Sequence, residues 1–361
     1  MKNNHKIAIV SASLGVGGAE RFAGLLSMML QDLGYEVHHL IILDVVDYDY
    51  EGELVNLGKL FVKEKGIFRA IKKGKYIAKY LAENKIDTII DNRSRPMILR
   101  EIFTKWIYGN RQTYFMIHSA NLEMYIPKSC FWANYLYRNA TKLICVSKGI
   151  EESIKNKYLL NNTQTIYNPV VVTESVMEKP KHLPEKYLLF FGRLEENIKN
   201  FTLLLIAFSK SKVYENGVKL VIIGDGADKD FILAKIDILK LSDSVEMLPF
   251  QKNITPYIQH AHSTVLTSYF EGFPLSIVES LAVGTPVISV DCETGPKEII
   301  QNNFNGLLVE NHNEQALAEA IKKLFEDNNL YQNCKNNAKK SVEHLSLTTI
   351  AQQWQELLNT K

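Results

Sequence analysis

Between Ser263 and Ile300 the chain spells out a complete folding unit, and that unit limits what the rest of the sequence can build. Ser263-Thr-Val-Leu-Thr-Ser268 reads as a buried strand, Gly272 permits a tight turn, and Pro274 suits a first helical position, where no backbone donor is needed. Gly284 and Thr285 follow the helix, and the apolar run Pro286-Val-Ile-Ser-Val-Asp291 reads as a strand covered on both faces. Thr294-Gly-Pro-Lys-Glu-Ile-Ile300 then opens another helix. Strand, helix and strand in this order form a βαβ unit, whose ligands gather at the carboxyl ends of its strands. Glu271 falls at the entrance of the first helix and Glu279 inside it. A carboxylate in such a turn can accept from a bound hydroxyl, while the open N–H groups and positive end of the helix suit a negative ligand, so a phosphorylated sugar fits both. Two glutamates alone would equally suit a helix start and a solvated surface; the surrounding unit favours the ligand site.

The same alternation runs through the whole chain twice, which is the pattern of two doubly wound α/β sheets. Strands are expected near Lys6–Ala12, Glu36–Leu43, Asp87–Asp91, Gln112–Ile117, Lys142–Val146 and Thr163–Tyr167. A second set is expected near Tyr187–Phe191, Lys219–Gly224, Ser244–Leu248, Ser263–Ser268, Val287–Val290 and Gly306–Val309. Helices near Glu314–Glu326, Leu330–Val342 and Thr348–Leu358 close the chain. At 361 residues the sequence exceeds what one hydrophobic core usually serves, and 46% hydrophobic with 23% charged residues is ordinary globular composition. The expected domains are residues 1–172, a linker at 173–186 carrying Pro180 and Pro184 among charges, and residues 187–361, with the last helix a candidate to pack back on the first domain. Cys130, Cys145, Cys292 and Cys334 show neither C-x-x-C nor metal-ligand spacing and read as reduced thiols. The amino terminus has no signal-peptide core and no window approaches eighteen uninterrupted apolar residues, so the expected location is cytoplasmic.

Three further loops sit at strand ends. Ser13-Leu-Gly-Val-Gly-Gly-Ala-Glu-Arg21 follows a strand and opens a helix; a dinucleotide fingerprint would need glycine at position 20, which is Glu. Phe190-Phe-Gly-Arg193 leads from a strand into a loop carrying Lys199; arginine can fork two bonds onto phosphate oxygens and lysine adds a compact charge. Gly224-Asp-Gly226 follows the apolar Val218-Lys-Leu-Val-Ile-Ile223 and is, by itself, a turn signal. Taken with the Glu271 segment, these motifs resemble the signature of family-4 glycosyltransferases, retaining enzymes of the GT-B fold. The resemblance implies two Rossmann-like domains facing each other across a cleft, with the first binding the acceptor and the second the nucleotide-sugar donor. It further implies that Gly17 and Gly18 lie against the donor diphosphate and sugar, and that Arg193 and Lys199, with Gly192, meet the diphosphate. Gly224 and Gly226 would lie under the nucleotide, and the base would be held by loops such as the one after Leu248. Glu279 could accept from the ribose diol; Glu271, with the backbone of Gly272, Phe273 and Leu275, could hold the donor sugar, Pro274 contributing no N–H. The family departs here in one place: the loop before Lys199 is about one residue longer than the commoner form, and Asn200 stands where glycine is frequent.

His118 ends the strand Tyr114-Phe-Met-Ile-His118. A lone strand-end histidine is often structural, but the family frequently uses one here, so His118 is assigned to the transferred sugar, through its ring or its backbone carbonyl. The remaining histidines, His38, His39, His260 and His262 among them, read as structural. No metal and no cofactor are implied; a nucleotide-sugar, UDP-sugar first among the candidates, is a co-substrate. The resemblance further implies that the acceptor is a hydroxyl of a glycan or lipid-linked glycan, and Asp291-Cys-Glu-Thr-Gly-Pro-Lys-Glu298 resembles bacterial members that extend surface or lipid-linked oligosaccharides.

Charge is uneven although the net is only +2: residues 1–180 carry 24 basic and 18 acidic side chains, residues 181–361 carry 18 and 22. Between Lys59 and Arg111 there are 14 basic and 5 acidic residues, interleaved with Phe61, Ile67, Phe68, Ile71, Tyr76, Phe103, Trp106, Ile107 and Tyr108. That pattern suits a peripheral contact with an anionic membrane, and equally a solvated helix face packed on its own domain. Nucleic acid fits less well, since no recognised binding module is present. Two rival functions share the architecture or its motifs: a UDP-sugar 2-epimerase, which would convert UDP-N-acetylglucosamine without an acceptor, and a non-catalytic sugar-nucleotide or membrane-binding protein.

Overall fold

Alternating apolar strands and amphipathic helices collapse into two parallel sheets in the computed structural model, which describes residues 5–15, 17–171 and 175–360. The chain divides into two units, Met1–Pro169 with Leu347–Lys361, and Val170–Ser346.

The first unit holds a seven-stranded sheet: β1 (Lys6–Ser11), β2 (Glu36–Ile41), β3 (Glu53–Asn56), β4 (Thr88–Asp91), β5 (Gln112–Ile117), β6 (Lys142–Cys145) and β7 (Thr163–Thr165). Their order is β3-β2-β1-β4-β5-β6-β7, all parallel, with Lys6 opposite Glu36 and Ile7 opposite Thr88. The order reverses between β1 and β4, so the loops after those two strands flank the switch point where ligands of doubly wound sheets bind. Strand β3 is absent from the sequence expectation; it is a four-residue edge strand with one buried side chain, too short for a period of two to register. The helix Leu347–Asn359, last in the chain, belongs to this unit, where Trp354 is fully buried against the rings of Phe22 and Tyr114.

The second unit holds a six-stranded parallel sheet ordered β10-β9-β8-β11-β12-β13. These are β8 (Tyr187–Phe191), β9 (Lys219–Ile223), β10 (Val245–Leu248), β11 (Ser263–Leu266), β12 (Val287–Asp291) and β13 (Gly306–Glu310). Its central strands are apolar on both faces because helices cover both. Leu188, Phe190, Leu220 and Ile222 pack under Phe201, Leu204, Phe208, Leu317 and Ile321. The alternate residues Tyr187, Leu189, Val221 and Ile223 pack with Tyr257 and Ile258 on the other side. Here the order reverses between β8 and β11. Of the stretch read as a linker, residues 173 and 174 lie outside the described residues. The remainder runs in the second unit, where the Met177 N–H donates to Gln259 Oε1 at 2.9 Å and His260 Nε2 donates to the Met177 carbonyl at 2.8 Å.

Candidate functional site

The switch point of the second sheet explains why residues 72 positions apart meet. The turn after β8 ends at Lys199, the turn after β11 carries Glu271, and these strands are neighbours. Lys199 Nζ lies 2.6 Å from Glu271 Oε1, with both side chains largely shielded. Ser268 Oγ donates to the same oxygen at 2.7 Å, and Thr267 Oγ1 donates to the Lys199 carbonyl at 2.8 Å. Thr294, from the loop after β12, donates through Oγ1 to the Glu271 carbonyl. Gly295 is required beside it: at φ +96°, a Cβ there would meet the Pro274 ring. The helix that follows runs Leu275–Ala282, so Pro274 precedes the first helical residue instead of occupying it, and Glu279 lies within, half-buried. Cys292 is buried next to this cluster; burial, then Glu271, push its thiol up to about 12, with Lys199 opposing, so it is inert.

The two glycine turns of this unit pack on each other. A Cβ on Gly224 would run into the Gly192 carbonyl oxygen, and one on Gly226 into the Leu194 carbonyl, so both glycines are demanded by backbone contact. The Gly192 N–H donates to the Ile223 carbonyl at 3.0 Å and the Leu194 N–H to the Asp225 carbonyl at 3.0 Å. Arg193 extends from that double turn, its side chain about half exposed and paired with Glu195 at 3.2 Å. Lys199 ends the single turn Glu196–Lys199, whose first N–H donates to Asp228 Oδ2 at 2.7 Å. Asn200 takes φ +52°, a left-handed conformation asparagine tolerates, and its Oδ1 accepts from the Leu203 N–H at the start of the helix Phe201–Ser211. Asparagine thus does at 200 what glycine can do conformationally, and caps the next helix as well.

In the first unit Gly17 and Gly18 stand at the start of the helix Gly18–Asp32; Val16 of the same loop lies outside the described residues. Asn92 follows β4 and His118 follows β5. His118 Nε2 is 2.6 Å from Asn92 Oδ1, and Asn92 Nδ2 donates to the Ala19 carbonyl at 2.8 Å. His118 is half-buried as a residue, and its Nδ1 is enclosed without a hydrogen-bond partner among the described residues. Desolvation, then Arg95, bring its pKa down to about 3, so the imidazole is neutral at physiological pH. Arg95 is fully buried, donating to the carbonyls of Arg93 and Met116, with its guanidinium over the Phe115 and Tyr125 rings. Asp91 pairs with Arg93 at 2.5 Å; burial opposes the carboxylate, but Arg93 and Arg95 offset it and hold it below its ordinary range.

That network revises the basic region. Arg93 and Arg95 serve buried Asp91, and Lys73 is buried with Nζ on the Ile42 carbonyl, so three of the fourteen cations between Lys59 and Arg111 face inward. Ile67, Phe68 and Ile71 are exposed along one side of the helix Gly66–Glu83, which packs through Gly74 against Phe103 of the helix Ile98–Tyr108. Trp106 of that second helix is 69% exposed, although its ring stacks on Phe103. Among the described residues no helix is long and apolar enough to cross a membrane.

Ser268 and Thr294 lie inside the quoted segments but carried no assigned role, and Asn92 lay in none of the motifs. Hydroxyl and amide residues at strand ends and in loops carry no periodic signal that would single them out.

Family models match both halves: residues 16–174 match Glycosyltransferase Family 4, and residues 172–341 match Glycosyl transferases group 1. A relative from Campylobacter jejuni is 30% identical across 96% of this chain and 97% of its own length. It is an N-acetylgalactosamine-N,N'-diacetylbacillosaminyl-diphospho-undecaprenol 4-alpha-N-acetylgalactosaminyltransferase. A Staphylococcus aureus poly(ribitol-phosphate) alpha-N-acetylglucosaminyltransferase is 28% identical across 70% of this chain and 52% of its own. Among solved structures, TarM of Staphylococcus aureus superposes with a TM-score of 0.79 at 18% identity, covering 99% of this chain and 100% of that one. HepE of Anabaena, solved with UDP and glucose, gives 0.77 at 19% identity over 99% and 100%.

Proposed function

The chain belongs to the family-4 glycosyltransferases of the GT-B fold, and from that premise we propose that it is a retaining, metal-independent enzyme moving a sugar from a UDP-sugar to a hydroxyl of a lipid-linked glycan. The observation that carries the donor site is the Lys199–Glu271 contact, because it gathers a cation and a carboxylate at a switch point beside the start of the helix Leu275–Ala282. Lys199 and the exposed guanidinium of Arg193 take the diphosphate oxygens, doing electrostatically what a divalent ion does elsewhere. Glu271 takes hydroxyls of the donor sugar, with the backbone at Gly272, Phe273 and Leu275 beside it. Glu279 takes the ribose diol, while Gly192, Gly224 and Gly226 shape the turns under the nucleotide. From the first unit, Gly17 and Gly18 offer backbone to the diphosphate and sugar, and neutral His118 meets the transferred sugar through its ring or its backbone carbonyl.

In the reaction the bond from the anomeric carbon to the diphosphate breaks and a bond from that carbon to the acceptor oxygen forms on the same face. The acceptor proton passes to the departing phosphate oxygen, so no protein base is needed. Alpha linkages in the names of both curated relatives support retention from an alpha-linked donor, and their N-acetylhexosamine specificity makes such a sugar the first donor to test. The diphospho-undecaprenol acceptor in the name of the relative matched over nearly its full length supports a lipid-linked acceptor. The exposed Ile67, Phe68, Ile71 and Trp106, with the neighbouring exposed lysines Lys63, Lys65, Lys72 and Lys75, would bring the enzyme to the anionic membrane that carries such an acceptor.

The test is a donor screen by released nucleotide, with mass spectrometry of products on short-chain polyprenyl-diphosphate glycans. Acceptor-dependent UDP release with a mass gain of one sugar is expected. Conversion of UDP-N-acetylglucosamine to an epimer without any acceptor would overturn the proposal.

A further inference from the structure

Of the groups around the first switch point, Asn92 has no role in any motif, yet it bridges two that do. Its backbone N–H donates to the Val10 carbonyl at 2.8 Å, continuing the pairing of β4 with β1 beyond the strand end. This leaves its side chain, only 4% exposed as a residue, between the helix that follows the glycine loop and the histidine that follows β5. The partners dictate the chemistry. A backbone carbonyl can only accept, so the atom facing Ala19 must be the amide nitrogen, and the atom facing His118 is then the amide oxygen. That oxygen can also only accept. His118 must therefore carry its proton on Nε2, and its Nδ1 is left as a lone pair.

We infer that Asn92 is a positioning residue for the transfer reaction: its amide selects the Nε2-protonated tautomer of His118 and ties that ring to the first turn of the helix Gly18–Asp32. The inference rests on the reading of His118 as a group that touches the transferred sugar. Nδ1, which is enclosed, then stays an unprotonated lone pair while the rest of the ring is held in place for the sugar. With the other tautomer the ring would present a donor there and lose its bond to Asn92. The same amide couples the ring to the backbone of the glycine loop, so the two elements assigned to the donor move as one.

The experiment has two arms. In the first, the full chain is labelled with 15N-histidine, and long-range 1H–15N spectra are recorded near pH 7, with His118→Gln used to assign the resonance. A proton on Nε2 is expected for His118 in the wild type, together with loss of that single tautomer in Asn92→Ala; a proton on Nδ1 in the wild type overturns the inference. In the second arm, transfer rates are compared for Asn92→Ala in wild-type and His118→Ala backgrounds. A residue acting through His118 should cost roughly tenfold in the first background and under about twofold in the second. Equal losses in both overturn the positioning role and leave Asn92 as a structural bridge. Should His118→Ala keep full activity, the reading of His118 fails, while the tautomer measurement still decides what Asn92 does to the ring.

Discussion

Replacing Glu271 by glutamine separates the two tasks assigned to the second-unit cluster. The Lys199–Glu271 pair is 2.6 Å long, and its side chains are 17% and 14% exposed. An exposed pair contributes up to about 1 kcal/mol, and breaking a fully buried one costs about 3–5 kcal/mol, so the cost of removing one partner here is about 1–3 kcal/mol. Glutamine keeps the shape and an acceptor for Ser268 but deletes the charge beside Lys199. With its counter-charge gone, Lys199 should bind the diphosphate of UDP at least as well as before, and up to about tenfold more tightly, since charges a few ångströms apart interact by several kcal/mol even when well screened. Sugar transfer should nevertheless fall about 10- to 100-fold, because a hydrogen bond from a sugar hydroxyl to a carboxylate is worth about 1.5–3 kcal/mol. Lys199→Ala should behave oppositely in binding, weakening UDP about 10- to 100-fold. Titration calorimetry with UDP, steady-state transfer assays and thermal melts of the two single variants and the double variant measure all three quantities. If Glu271→Gln weakened UDP as much as Lys199→Ala does, or left transfer untouched, the division of labour would be wrong.

Gly224→Ala should destabilise by about 2–3 kcal/mol through collision with the Gly192 carbonyl, and a lowered melting temperature with an intact far-UV spectrum would register it. Asn200→Ala should cost about 1–2 kcal/mol by losing both a tolerated left-handed conformation and a helix cap, whereas Asn200→Gly should cost less; denaturant midpoints of the two variants test the order. His39 is fully buried without side-chain hydrogen bonds among the described residues, and burial lowers its pKa to about 4 from an ordinary 6.5. The unfolded chain therefore takes up a proton the folded one refuses, so stability is full above about pH 6.5 and falls by about 3 kcal/mol on the way to pH 4; His39→Leu should flatten that part of the curve relative to wild type. Trp106→Ser with Phe68→Ser should release the protein from anionic vesicles in flotation assays while leaving transfer to a water-soluble acceptor unchanged, and retained flotation would argue against this face as the membrane contact.

How much of this molecule is legible without coordinates depends on the range of the interaction concerned. Twelve of the strands and the closing helices follow from local periodicity, because a run such as Val218–Ile223 is apolar whatever surrounds it. The glycine loops, Glu271 and Glu279 are equally visible, since turn chemistry needs particular residues at particular places, and these motifs carry the family resemblance. Strand β3 escaped because four residues with one buried side chain leave no pattern. The direction of each cation also escaped: Lys73, Arg93 and Arg95 look like their neighbours in a basic stretch, and only the buried Asp91 and the Ile42 carbonyl turn them inward.

The sequence by itself determined the class of fold, the doubled strand–helix alternation and the motifs at the strand ends, all of which depend on residues close together in the chain. Tertiary structure decided which of those ends are neighbours. Placing β11 beside β8 brings Glu271 to Lys199, and placing β4 between β1 and β5 puts the Asn92 amide between Ala19 and His118. Strand order is a property of how whole sheets bury their apolar faces, so contacts that depend on it exist only once the sheet is assembled.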